Sequence, residues 1–106
     1  MKVAIPSDNK ETITKRTGQS KGFVVYDITD HKIVSFEYRK NLMDEHDEEI
    51  EHSHVQIIEL LTDVDILLVA AIGKHMKRDV DNSTIKYQMV REEKLTQIIN
   101  NFLKMN

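Results

Sequence analysis

Asp65-Ile66-Leu67-Leu68-Val69-Ala70-Ala71-Ile72-Gly73-Lys74-His75-Met76 is the stretch on which the reading of the whole chain turns. Its first half is an unbroken apolar run, too short for a membrane span, and it reads as a strand buried on both faces. Ala70 and Ala71 then thin the side chains, Gly73 permits a sharp turn, and Lys74-His75-Met76 opens a helix. An imidazole is thereby delivered to the carboxyl end of a central strand, where open α/β sheets place their ligands.

Working upstream, Val55, Ile57, Ile58, Leu60 and Leu61 form a wide apolar helix face, with Ser53 as N-cap and Gln56 completing a capping box. Before that helix lies a polar loop, Arg39 to Glu51, in which six of the eight residues from Asp44 to Glu51 are acidic. Phe23 to Ile28 and Ile33 to Tyr38 read as hairpin strands around a tight turn at Thr29 to Lys32, the second with simple alternation. Val3, Ala4 and Ile5 form a first strand stopped by Pro6, and Ser7 to Lys21 is a long polar loop. Downstream, Met76 and Val80 indicate a short helix ending near Asp81-Asn82, and Thr84 to Gln88 an edge strand. Leu95, Ile98, Ile99 and Phe102 mark a terminal helix.

The order β, β, β, α, β, α, β, α gives an α/β class with a five-stranded mixed sheet. Right-handed helical crossovers and antiparallel hairpin connections make strand two antiparallel to the other four. The carboxyl edge then collects the first loop, the segment with His52 and His54, the Gly73 turn with His75, and the loop after Gln88. His31 falls on the opposite edge.

Length and composition narrow the function. The 106 residues, 40% apolar and 31% charged, are expected to form one domain over 1–106. No apolar run approaches the ~20 residues of a span, and the opening residues read as a strand, so no membrane association and a cytoplasmic protein are expected. A net charge of −3 argues against nucleic-acid binding. The absence of cysteine removes thiolate catalysis and thiolate ligation. Soft-metal chemistry is left to the five histidines, His31, His46, His52, His54 and His75.

His52, His54 and His75 are the candidate ligands. A spacing of two places His52 and His54 on one side of an extended segment but on roughly opposite sides of a helix. The positive end of a helix favours the neutral imidazole that metals require and attracts anions such as a sulfide-rich cluster or phosphate. The plainer reading of each stands beside this: a His-x-His in an acidic loop as a solvated feature, and His75 as helix-start polarity. His46 with Asp44, Asp47 or Glu48 is a hard-metal alternative or an exposed loop. Gly18-Gln19-Ser20-Lys21 offers backbone N–H groups to an anion or is simply a mobile loop.

Met1 to Pro6, the Gly18 loop leading into Phe23 to Asp27, the histidine pair before the first helix, and Val64 to Gly73 together resemble the dinitrogenase iron-molybdenum cofactor biosynthesis family, over nearly the whole chain. The resemblance implies a three-layer α/β/α, ribonuclease H-like fold. It also implies a small nitrogenase accessory factor, a non-enzymatic carrier of iron-molybdenum cofactor or an iron–sulfur precursor. Its partners would be metal-cofactor assembly proteins, and its cofactor-binding positions would be His52, His54, His75, Gly18, Gln19 and Gly73. Where family members commonly read His-Phe-Gly-Arg, this chain reads Arg16-Thr17-Gly18-Gln19. Where many read Gly-Gly-Ile-Gly, it reads Ala70-Ala71-Ile72-Gly73. These departures keep open an alternative, a partner-binding or regulatory domain with a vestigial cleft. A ribonuclease H-like fold also raises a two-metal nuclease, but such a site needs carboxylates on the central strands, and Lys2 to Pro6 carries none.

Overall fold

The computed structural model describes residues 1–41 and 52–105, with side chains at all of these except 52–55. The elements are β1 (Lys2–Pro6), β2 (Gly22–Thr29), β3 (Lys32–Lys40), α1 (His52–Leu60), β4 (Ile66–Val69), α2 (Lys74–Asp81), β5 (Lys86–Met89) and α3 (Leu95–Met105). A 3-10 turn at Thr17–Gln19 interrupts the first loop.

The sheet order is β3-β2-β1-β4-β5. β2 runs antiparallel to both β1 and β3, whereas β4 is parallel to β1 and to β5. Strand two alone is reversed, as the hairpin and crossover reasoning expects. The crossover through α2 joins β4 to β5, and β1 and β4 sit at the centre.

Strand periodicity distributes the core. Ala4, Phe23, Val25, Leu67 and Val69 point to one face, where Ile57 from α1, Leu61 just after it, and Met76 and Val80 from α2 cover them. Val3, Ile5, Val24, Tyr26 and Leu68 point to the other, against Leu95, Ile98, Ile99 and Phe102 of α3. Helices thus lie on both faces and the apolar run Leu67 to Val69 is buried throughout. Two layers of contact with a single short strand are what such an unalternating run requires.

Several boundaries and pairings differ from the expectations. α1 begins at His52, so Ser53 lies inside its first turn rather than capping it. β5 starts at Lys86 instead of Thr84, because Ser83 is occupied in closing α2: its Oγ donates to the Val80 carbonyl at 2.7 Å and accepts from the Ile85 N–H at 3.1 Å. The alternation expected in β3 breaks at Val34. Asp27 faces Ser35 and Ile28 faces Ile33, leaving Val34 as the extra residue of a bulge.

The first loop is laced together by its own polar side chains. Asn9 Oδ1 accepts from the Glu11 and Thr12 N–H groups at 2.9 and 2.8 Å, and Ser7 Oγ donates to the Thr12 carbonyl at 2.6 Å. Backbone bonds from Ile13 to Glu93 (2.8 Å) and from Leu95 to Glu11 (3.0 Å) fasten it to the start of α3. Local side-chain bonds of this kind leave no mark in hydrophobic periodicity. No helix among the described residues is long and apolar enough to cross a membrane.

Candidate functional site

At the carboxyl edge, the chain after β4 passes through Ala70, Ala71 and Ile72 to Gly73, the residue preceding α2. Gly73 adopts an extended conformation (φ −72°, ψ 156°) and provides no side-chain cap. Its place is open: a Cβ built there would meet nothing within 4 Å. The first turn of α2 contains no acidic residue and no side-chain cap, which leaves its positive end uncompensated beside Lys74 and His75, both exposed.

The 3-10 turn closes against this edge. The buried Thr17 hydroxyl donates to the Ala71 carbonyl at 2.8 Å, and Arg16 bridges to Ala71 in parallel fashion. Arg16 Nη1 donates to Gln19 Oε1 at 3.4 Å, so the two ends of the turn meet. α1 packs against both this turn and α2. The start of α2, the 3-10 turn and α1 therefore form one neighbourhood.

On the other side of Ala70 and Ala71 opens a cleft of about 600 Å³ between the first loop and the segment after β5. Lys15 lines one wall and Arg91 the other, with Glu92 and Glu93 at the rim. Glu92 is turned toward α3, where its Oε1 accepts from Asn101 Nδ2 at 2.7 Å. Backbone N–H donation and that amide hold its carboxyl below the usual range.

The predicted residues are placed as follows. His75 stands exposed at the start of α2, and Gly73 immediately precedes it. His52 and His54 occupy the first turn of α1, at positions about 200° apart around the helix axis; their side chains are outside the described residues. His46 and the whole acidic run from Asp44 to Glu51 also lie outside the described residues. His31 sits at the β2–β3 turn on the opposite edge, near Met1, whose amino group donates to the Ile28 carbonyl at 2.9 Å. Gly18 and Gln19 lie in the 3-10 turn, and the N–H groups that one reading of this loop offers to an anion have partners within the chain. The Gln19 N–H donates to Arg16 O, that of Ser20 to Thr17 O, and that of Lys21 to Asp8 Oδ1 at 2.8 Å. Three consecutive donors are consumed within the loop.

Sequence reasoning named no cation for this edge, yet Lys15, Arg16, Lys74 and Arg91 all belong to it. The available signal was position: Arg91 lies two residues past the carboxyl end of β5, in a loop already expected at this edge. Among the described residues no three of His, Asp and Glu gather as a metal cluster. The donor set fits an anionic group held by cations and helix ends, with imidazole as the soft ligand.

Residues 1–105 match the sequence pattern of the family described as dinitrogenase iron-molybdenum cofactor. The chain belongs to that family. The iron-molybdenum cofactor family fold is shared with several solved structures. The crystal structure of PH0822 superimposes with a TM-score of 0.80 at 23% identity, covering 100% of this chain and 91% of that one. The apo form of the orange protein from Desulfovibrio gigas gives 0.77 at 19% identity, covering 98% and 88%. The mj0327 protein of Methanocaldococcus jannaschii gives 0.75 at 19% identity, covering 99% and 89%. At such identities the likeness concerns the fold. Comparison with proteins of curated function yields no match.

Proposed function

We propose that the protein is a non-enzymatic carrier or accessory factor that holds an anionic metal–sulfur cofactor at the carboxyl edge of its sheet. The cargo would be iron-molybdenum cofactor or an iron–sulfur precursor, received from and passed to metal-cofactor assembly proteins. His75, with His52 and His54 on the neighbouring helix, supplies candidate ligands. The open position at Gly73 and the turn containing Gly18 and Gln19 shape the approach. The observation that carries this reading is the uncapped, acid-free start of α2 beside Lys74 and Arg16, in a chain whose family description names the cofactor.

The departures in the first loop fit the same reading. The family motif ends in arginine where this chain has Gln19, but Arg16 stands at the other end of a turn whose ends meet. A guanidinium is therefore retained in the same turn. Strand order 3-2-1-4-5 with β2 reversed supports reading the scaffold as ribonuclease H-like. Neither β1 nor β4 carries a carboxylate, which leaves two-metal hydrolysis without its ligands and favours carriage over catalysis.

Anaerobic reconstitution with iron and sulfide, and separately with isolated iron-molybdenum cofactor, tests the proposal. The expected result is stoichiometric binding that His75→Ala weakens and the His52→Ala, His54→Ala, His75→Ala triple variant abolishes. Absence of binding to the unaltered chain, or binding indifferent to all three histidines, overturns it.

A further inference from the structure

A groove of about 820 Å³ lies on the sheet face covered by α3, between that helix and the outer half of the β2–β3 hairpin. Its floor is apolar and closed: Val24, Tyr26 and Ile99 are 5%, 8% and 2% exposed. Its outer wall is Phe36, 71% exposed, with its ring centroid 6.0 Å from that of Tyr26. The Val34 bulge brings Ile33 onto the same face as Phe36, widening the apolar wall.

The Tyr26 hydroxyl is the unexplained group. It makes no hydrogen bond to any described residue, although the residue as a whole is only 8% exposed. No fully buried side-chain oxygen or nitrogen among the described residues lacks a partner, so this hydroxyl retains access to solvent. The groove is the open space Tyr26 borders, and burial of the ring pushes the phenol up from its ordinary value. A phenol at the edge of an apolar recess is a hydrogen-bond donor that can exchange its water for a ligand's acceptor.

The rim is charged. Lys10 holds its Nζ 5.0 Å from the Tyr38 ring centroid, and Lys94 stands at the start of α3. Of the two rim carboxylates, Glu37 is engaged by Arg39 Nε at 2.7 Å, which leaves Glu11 against two lysines. A recess of this size, with aromatic lining and few convergent polar groups, has the character of a small-molecule site.

We propose that this groove is a second ligand site that takes a flat aromatic anion, its ring along Phe36, an acceptor on the Tyr26 hydroxyl, and its negative charge toward Lys10 and Lys94. It lies on the face opposite α2 and uses none of the histidines. Its occupation is independent of cofactor carriage at the carboxyl edge.

Titration of the full chain with anilinonaphthalenesulfonate, an aromatic anion whose emission rises on transfer to an apolar site, tests this. Saturable binding at one site per chain is expected, with amide shifts in an NMR spectrum centred on Tyr26, Phe36 and Ile99. Tyr26→Phe removes only the hydroxyl and is expected to weaken binding about fivefold, the worth of one hydrogen bond. Lys94→Glu is expected to weaken it about tenfold at low salt, with the difference shrinking as salt rises. Uncharged phenylnaphthylamine is expected to bind at least about tenfold more weakly than the sulfonate. Phe36→Ala, at a position 71% exposed, is expected to abolish saturation while the far-ultraviolet circular dichroism stays unchanged. Non-saturating fluorescence, or affinity unchanged across these variants, overturns the proposal. So does a dimer in sedimentation that Phe36→Asp disperses while the probe fails to bind, which would make a second copy of the chain the occupant.

Discussion

Thr17 and Ala71, 54 positions apart in sequence, are joined by a hydrogen bond of 2.8 Å from the threonine hydroxyl to the alanine carbonyl. Thr17 is 2% exposed, so its hydroxyl has no water as a substitute partner. Thr17→Val keeps the shape and deletes the donor. A loss of about 1 kcal/mol is expected, read as a Tm lower by roughly 4–6 °C, with faster proteolysis within the first loop. Scanning calorimetry and limited proteolysis check both.

Gly22 lies beneath Tyr38 on the adjoining strand. A Cβ built there would come within 2.5 Å of the Tyr38 hydroxyl oxygen and 2.8 Å of the Arg39 carbonyl oxygen. The ring can give way but the strand backbone cannot do so cheaply. Gly22→Ala is expected to cost about 1–3 kcal/mol in urea denaturation, and Tyr38→Ala in the same chain to recover only part of it. Loss of the Tyr38 bond to the Ser7 carbonyl, now 2.8 Å, adds to the cost.

Asp63 ties three elements together, accepting from Arg39 and from Lys2 Nζ at 2.9 Å, while Arg39 also donates to the Leu60 carbonyl at 3.0 Å. Arg39 first and Lys2 second hold the Asp63 carboxyl well below the usual carboxylate range. A depressed folded-state pKa contributes stability above the unfolded value of about 3.9 that is lost as pH falls toward the folded one. Because the side chain is 45% exposed, solvent screens the pair and Asp63→Asn is expected to cost only about 1 kcal/mol at neutral pH. The variant's denaturation midpoint is expected to fall less steeply than that of the unaltered chain below pH ~4.

Lys15 and Arg91 face each other across the carboxyl-edge cleft. Charge reversal at both is expected to weaken binding of an anionic metal–sulfur cofactor at least about tenfold at low ionic strength, and less at 0.5 M salt. Thermal stability is expected to change by less than about 0.5 kcal/mol, since both side chains are exposed. Anaerobic titration at two salt concentrations, alongside calorimetry, separates the two effects.

What the chain disclosed in advance depended on periodicity. The run Leu67 to Val69, the strand-forming run Phe23 to Ile28 and the spacing of Leu95, Ile98, Ile99 and Phe102 each encode burial, so strand directions and the two helical layers followed. The carboxyl edge was legible for the same reason, and His31 was correctly placed away from it. Features held by polar side chains were not. Asn9 and Ser7 order the first loop, Ser83 delays β5, and Gln19, Ser20 and Lys21 spend their N–H groups internally, none of which a hydrophobic pattern registers. The cations escaped notice because Lys15 and Arg91 come together only once loops distant in sequence meet.

The bulge at Val34 has a consequence for how the molecule behaves in company. β3 ends the sheet of described residues and is nine residues long, with Val34 and Phe36 exposed at 66% and 71%. A strand of that kind ordinarily invites another chain to zip onto it. Here the free edge changes phase at Val34, so a visitor in step with Ser35 to Lys40 is out of step with Lys32 and Ile33. The extra residue pairs with nothing on β2, and the hairpin keeps its facing partners without it. It leaves the strand an awkward neighbour, a free edge that no regular strand can follow along its whole length.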